Sequence, residues 1–382
     1  MFEVTALTGA SLAAYLLLAA VTIGATPRQD LRNRSLQLAL LLVISGTAVA
    51  YLAASPWIFL AGWVLTLIPM WIDSETYGAR VRVLHAVSTA ALAAGILAAS
   101  KPTAAFALLA VATLLRKGVF PFHFWVPSAA EKGPLAALAL VLNGHLGAYL
   151  LVRFATPMYP EVASEALSLI GALAILTSVY GAFLGLAAKS PRRVLALLSV
   201  SQAAFILAGL ENRNVEGITG ALIHWWVVAF TTCAMFTVYR ALELRTAEAA
   251  APRDLLGLGF HAPRLAVFFA VPALALVGLP ATLGFAAEDL LFHGSLESHP
   301  LLGIGLPLAT ALNAITALRL FATLFLGRRG IHVPRIPDAL PRERVALALS
   351  VVLLVVTGVW PAAVVSLRTP AAEQIAQLLG AR

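Results

Sequence analysis

"LLRKGVFPFHFWVP", residues 114–127, places two adjacent cations, Arg116 and Lys117, at the end of an apolar run that begins near Thr103. Gly118 and Pro121 follow and apolar residues then resume, so the segment reads as a hydrophobic helix broken in its middle. A second stretch of the same make-up, "GLPATLGFAAEDLLFHG" at residues 278–294, sets Pro280 and Gly284 ahead of the acids Glu288 and Asp289. A charge at bilayer depth costs at least about 2.5–3.5 kcal/mol. A broken helix also frees backbone N–H and C=O groups that lipid cannot satisfy. Both stretches are therefore expected to face protein or a hydrated cavity.

The surrounding composition sets the class. Hydrophobic residues make up 60% of the chain and charged residues 12%, far below the roughly 25% of a soluble domain, and the mean hydropathy is +0.90. Apolar segments long enough to cross a bilayer recur at about 5–25, 36–54, 56–72, 81–99, 104–125, 134–155, 164–188, 192–211, 216–242, 263–296, 301–327 and 343–366. The expected fold is an all-α polytopic membrane protein of about twelve transmembrane helices. The first span has only Glu3 and no basic region before it, so it reads as a retained helix rather than a cleaved signal. The single cysteine, Cys233, falls inside a span and excludes an intrachain disulfide.

The net charge of +8 does not call for an anionic partner, because the cations are unevenly distributed. Loops assigned alternately to two sides give one side 18 of the 26 cations: Arg28, Arg32, Arg34, Arg80, Arg82, Lys132, Lys189, Arg192, Arg193, and the arginines from Arg240 to Arg264 and from Arg328 to Arg344. The other side holds Lys101, Arg153, Arg213, Arg368 and Arg382, and Arg116, Lys117 and Arg319 remain at membrane depth. The positive-inside rule then places the rich side in the cytoplasm and both termini outside. Nucleic acid is not an expected partner; the lipid bilayer is.

The two broken segments occupy the fourth place in two runs of five helices, 36–155 and 156–327. These runs are flanked by an N-terminal helix within 1–35 and a C-terminal helix and tail at 328–382. Five helices per unit make the second unit start from the opposite face, so the two repeats are expected to be inverted. Paired interrupted helices in two halves point to an ion site. Arg116 is a fixed charge, since a guanidinium keeps its proton, whereas Lys117 can release one in a dry setting. His145 and, among further candidates, His123 and His224 titrate nearest neutral pH, although a lone helical histidine is as readily a packing group. Glu288 is an acid behind a break with few structural alternatives, while Asp289 beside it faces elsewhere. No Cys/His metal cluster, phosphate loop or nucleophile motif is present, so neither a metal nor another cofactor is expected.

"FPFHFWVPSAAEKGP" (120–134), "LNGHLGAYLLVRFATPMYPE" (142–161), "SVYGAFLGLAAKSPRRVLALLSVSQ" (178–202), "GLPATLGFAAEDLL" (278–291) and "ALRLFATLFLG" (317–327) follow one another in order. Together they resemble the antiporter-like membrane subunits shared by respiratory complex I, Mrp cation/proton antiporters and membrane-bound hydrogenases, most of all the M-type (chain 4) subunit. The resemblance implies two half-channels joined by charged residues at mid-membrane. It puts the lysine of the first broken helix at Arg116 with Lys117 beside it, the following helix's titratable residue at His145, and the terminal residue at Glu288. Two departures stand out. "WVLTLIPM" (63–70) has Val64 where the family has a glutamate, with Asp73 and Glu75 too far along to replace it. "HWWVVAFTTC" (224–233) leaves only His224 in its helix. The chain is also short at its N-terminal end relative to that family.

The resemblance implies a proton-conducting or cation/proton antiporter-like subunit of a larger energy-coupled complex, such as a translocating NADH-quinone oxidoreductase. Its partners would be other membrane subunits, including an energy-supplying or catalytic one, in a bacterial or archaeal inner membrane. Two alternatives stay open: the membrane subunit of a two-component inorganic-carbon pump, and a scaffold that has lost transport.

Overall fold

A computed structural model describes residues 6–248, 257–327 and 336–380. Arg253, Arg328, Arg329, Arg335 and Arg382, all counted in the charge asymmetry, lie outside the described residues.

The described residues are helical with no strand. In chain order the α-helices of five residues or more are α1 (Ala6–Ala25), α2 (Arg34–Tyr51), α3 (Pro56–Ile72), α4 (Ala79–Leu97), α5 (Pro102–Lys117), α6 (Trp125–Lys132), α7 (Leu135–Asn143) and α8 (Leu146–Leu150). There follow α9 (Pro160–Ala187), α10 (Pro191–Glu211), α11 (Val215–Glu248), α12 (Pro263–Leu276), α13 (Leu283–Ser298), α14 (Gly305–Phe325), α15 (Pro341–Val359) and α16 (Ala362–Leu378). Among the described residues, eight helices are long and apolar enough to cross a bilayer, and ten if two sharply bent pairs each count as one span. Each expected apolar segment contains helix, but the expected count of twelve crossings is not confirmed. The α3 and α12 helices are only 17 and 14 residues long.

Helices apolar on every side are interior. The span built from α7 and α8, together with α10 and α11, is 94% buried and forms the centre, whereas α2 and α4 bury less than half of their length. On the outer helices Leu41, Val83, Leu169 and Val345 point outward, as a lipid-facing surface requires. Small residues bring helices close: a Cβ on Gly62 of α3 would lie 2.6 Å from the Gly46 carbonyl oxygen of α2.

One end of the bundle is tied by ions. Arg192, at the start of α10, makes a bidentate contact of 2.6 Å with Glu243 of α11, and its Nη1 also donates to the Ala130 and Gly133 carbonyls. Arg240 joins Glu243 to Asp30. The "KSPRR" turn therefore clamps three segments, in addition to contributing loop charge.

The structure corrects four expectations. Arg319 does not lie at membrane depth; it donates to the Gly185 and Ala188 carbonyls and so covers the C-terminal end of α9. Arg368 is not a loop cation. Its helix α16 turns back by 83° from α15 and packs on α11, where Arg368 is fully buried, 4.6 Å from the Trp226 ring centroid and donating to the Leu222 carbonyl. The C-terminal "tail" is thus largely helix. Finally, the segment at 134–155 is not one helix, because His145 adopts φ 42° between α7 and α8.

The two expected breaks are present, the first as placed. Gly118, at φ 67°, ends α5, and α6 leaves at 42° to it. The freed groups find protein partners: Trp125 Nε1 donates to the Leu115 carbonyl, and the Phe120 N–H donates to Thr177 Oγ1 of α9. The second break runs from Val277 to Thr282, with Gly278 at φ 70° and Ala281 at φ 66°. Gly284 is not in it but inside α13, where a Cβ would strike the Ala275 carbonyl, so glycine is needed there for the close crossing of α12 and α13.

Candidate functional site

The first break delivers two buried cations to different places. Arg116 reaches α3, where its guanidinium lies 4.3 Å from the centroid of the Trp63 ring and Nη2 donates to Thr66 Oγ1 at 2.5 Å. Its Nε and Nη1 have no protein partner. Val64 is only partly buried, and the groups that meet Arg116 are Trp63 and Thr66, one helical turn apart on the same face. An aromatic face and a hydroxyl of α3 stand opposite the cation.

Lys117 points toward α7 and α8. Its Nζ lies 2.8 Å from His145 Nδ1, and Gly147 leaves room for its stem, since a Cβ there would be 2.9 Å from Lys117 Cγ. The left-handed backbone at His145 leaves the Gly144 carbonyl to accept from the Tyr51 hydroxyl at 2.7 Å, while the Trp225 ring packs edge-on against the imidazole at 5.3 Å. Arg116, Lys117, Asn143, His145 and Ser199 line a cavity of about 20 Å³, room for one water. It extends the first site to α10.

From there the polar groups continue on α10, α11 and α13. His224, close enough to His145 to interact electrostatically, has Nε2 3.2 Å from the Gln202 carbonyl oxygen and its ring stacked on Phe205 at 5.2 Å. The Gln202 side chain is fully buried, with neither amide atom bonded, and it adjoins Glu288. Glu288, 4% exposed, accepts from Thr310 Oγ1 at 3.0 Å. Gly278 of the second break lies directly against that carboxylate, for a Cβ there would be 2.5 Å from Oε2.

Arg116, Lys117, His145, His224 and Glu288 thus belong to one connected interior. His123 and Asp289 do not join it. His123 is partly exposed against Phe120 and Tyr180, and Asp289 is exposed beside His293 at 3.6 Å. Thr66, Trp63, Gln202 and Thr310 escaped the reading of the sequence. A buried amide in the apolar stretch "LLSVSQAAF" (197–205) was the one available signal. Among the described residues, no group of three or more His, Cys, Asp or Glu side chains could hold a metal.

The chemistry available here is proton exchange. The nitrogen-to-nitrogen contact at Lys117 and His145 serves both N–H···N arrangements without moving a heavy atom. Arg116 supplies a permanent charge beside it.

Comparison with known proteins places the chain in a family. The model of a family described as "NADH:quinone oxidoreductase/Mrp antiporter, TM" matches residues 34–313. NADH-quinone oxidoreductase subunit M of Mycobacterium tuberculosis is 29% identical over 268 residues, which cover 70% of this chain and 48% of that protein. Subunit N of Parafrankia sp. is also 29% identical, over 272 residues, covering 70% and 51%. Subunit 13 of the Thermus thermophilus enzyme is 31% identical over 273 residues, covering 71% and 57%. The chain spans about half the length of these curated relatives. A chain of respiratory complex I from Thermus thermophilus with bound NADH superposes with a TM-score of 0.87 at 26% identity, covering 99% of this chain and 86% of that one. A chain of the Mrp complex from Dietzia sp. DQ12-45-1b shares the fold, with a TM-score of 0.84 at 19% identity, covering 100% and 86%. The chain belongs to the NADH:quinone oxidoreductase/Mrp antiporter transmembrane family and is a multi-pass membrane protein of that kind.

Proposed function

We propose that this family member conducts protons, or exchanges them for another cation, as one subunit of a larger energy-coupled membrane complex. Two five-helix repeats, 36–155 and 156–327, act as half-channels of opposite orientation that meet at mid-membrane. Both termini lie on the outer side, and the Arg192 loop is cytoplasmic. The observation that carries this reading is the Lys117–His145 contact of 2.8 Å at the first break, in one buried interior with Glu288 at the second.

In this reading Arg116 biases the first site electrostatically, Lys117 and His145 exchange one proton, and His224 passes it through water beside the Gln202 amide toward Glu288. Glu288 is the terminal carrier of the row. A partner subunit supplies the driving reaction.

The test is proton flux through the complex reconstituted in vesicles. Glu288→Gln keeps the side chain's size and its bond to Thr310 but cannot carry a proton, so flux is expected to fall at least tenfold with assembly unchanged. Full flux with Glu288→Gln rejects the proposal and leaves a scaffold role.

A further inference from the structure

A second carboxylate is buried at the end of α10 farthest from the Arg192 clamp. Glu211 is 3% exposed, yet its Oε1 lies 2.6 Å from Nε2 of His299, whose side chain is 41% exposed. From Arg192 to Glu211 the helix advances about 28 Å, the thickness of a bilayer core. Glu211 thus sits at one membrane surface, joined to solvent by a single imidazole.

The pair also continues inward. His299 follows directly on α13, the helix that carries Glu288. Ser295, seven residues and about 10 Å beyond Glu288 on the same helical face, pairs with the Asn212 amide at 3.0 Å. Asn212 is the next residue after Glu211, and its carbonyl accepts from the Ser298 hydroxyl. The carrier and this polar cluster therefore share two packed helices.

Between them the filling is apolar. On α13 the intervening residues are Leu291, fully buried, and Phe292; on α10, Phe205 stands between Gln202 and Glu211. The Phe205 and Phe292 rings lie 6.5 Å apart, and Leu291 presses against Gly209, where a Cβ would be 2.3 Å from Leu291 Cδ2. A short hydrophobic plug thus separates two polar compartments. Arg213, which bonds the Ser164 carbonyl and lies near the Ser168 hydroxyl, also faces Glu211 electrostatically, Ser168 is in hydrogen-bonding reach of the same carboxylate, and Glu297 accepts from Asn214.

We infer that Glu211 and His299 form the port through which protons pass between Glu288 and the aqueous face opposite the Arg192 loop, with Phe205, Leu291 and Phe292 as the gate between them. The inference rests on the proton-conducting reading above. When the gate hydrates, the Glu288 carboxyl gives its proton through water to the Glu211 carboxylate. Glu211 then protonates Nε2 of neutral His299, and the imidazolium releases the Nδ1 proton to bulk water. Glu288 is left as a carboxylate until the interior path reprotonates it, and proton exchange of the His299 ring with bulk water returns Nε2 to its accepting form, so the cycle closes and every step is reversible.

The experiment measures proton flux of the reconstituted complex against pH on each face separately, for Glu211→Gln, Glu211→Asp, His299→Ala and, as reference, Glu288→Gln. Glu211→Gln is expected to lower flux at least tenfold and Glu211→Asp to restore part of it. His299→Ala should flatten the rate's dependence on pH on its own face, with the dependence on the opposite face unchanged. A purely structural pair would alter thermal stability and leave the one-sided pH profile intact. If Glu211→Gln does not assemble, the half-exposed His299→Ala decides. Full flux and an unchanged profile beside an inactive Glu288→Gln overturn the port and leave the conduction reading standing. Full flux in Glu288→Gln overturns both.

Discussion

Lys117 Nζ and His145 Nδ1 meet at 2.8 Å although 28 residues separate them in sequence. The contact depends on two backbone devices. Gly118 ends α5 just after the lysine, and the left-handed turn at His145 splits the next span so that its ring faces the amine. Lys117→Met removes one hydrogen bond to His145, which costs about 1–2 kcal/mol, but it leaves no unpaired acid. Thermal unfolding in detergent should therefore change little, while proton flux falls at least tenfold. Wild-type flux in Lys117→Met would remove the lysine from the path.

Gly278 and Gly380 both have positive φ, 70° and 73°, but only Gly278 has a neighbour, the Glu288 carboxylate. Alanine at either position carries the left-handed backbone strain, about 1–2 kcal/mol. Gly278→Ala must in addition displace Glu288 and is expected to cut flux severely. Gly380→Ala should show only the small loss of stability. Equal flux in the two variants would contradict the placement of Glu288 against the break.

Two arginines should answer differently to removal. Arg245 donates to both oxygens of Glu343, which is 2% exposed, so Arg245→Met strands a buried carboxylate and should cost about 3–5 kcal/mol. Arg116 has no acidic partner among the described residues, only Trp63 and the Thr66 hydroxyl, so Arg116→Met should be close to neutral in stability. Melting temperatures of the purified variants check the contrast.

Sidedness is open to direct measurement, because the one native cysteine, Cys233, is buried and should stay silent to labelling reagents. Lys189→Cys, in the exposed turn before α10, is expected to react from the cytoplasmic side, and Glu297→Cys, near the end of α13, from the outer side. Labelling in the reverse sense would invert the proposed orientation, and with it the face assigned to Glu211 and His299.

Much of the site was legible along the chain because ionisable residues and helix breakers are rare in an apolar sequence. Arg116, Lys117, His145 and Glu288 stand out on that ground alone. His123 and Asp289 stand out equally and lead outward, since sequence shows that a residue is unusual without showing which way it faces. Trp63, Thr66 and Thr310 give the opposite error: as ordinary residues of apolar helices they carry no signal until another helix brings a charge to them.

By itself the sequence determined the class, the approximate spans and the two interrupted helices, because bilayer thickness, proline and glycine act locally on the chain. Only the tertiary structure decided which helices are interior, that His145 breaks a third span, and that Arg368 returns to the bundle on a helix bent 83° from its predecessor. It also decided that a tryptophan face and a threonine hydroxyl stand opposite Arg116, where the resemblance implied an acid. Those outcomes depend on contacts between residues tens to hundreds of positions apart, which packing sets and local propensity does not encode.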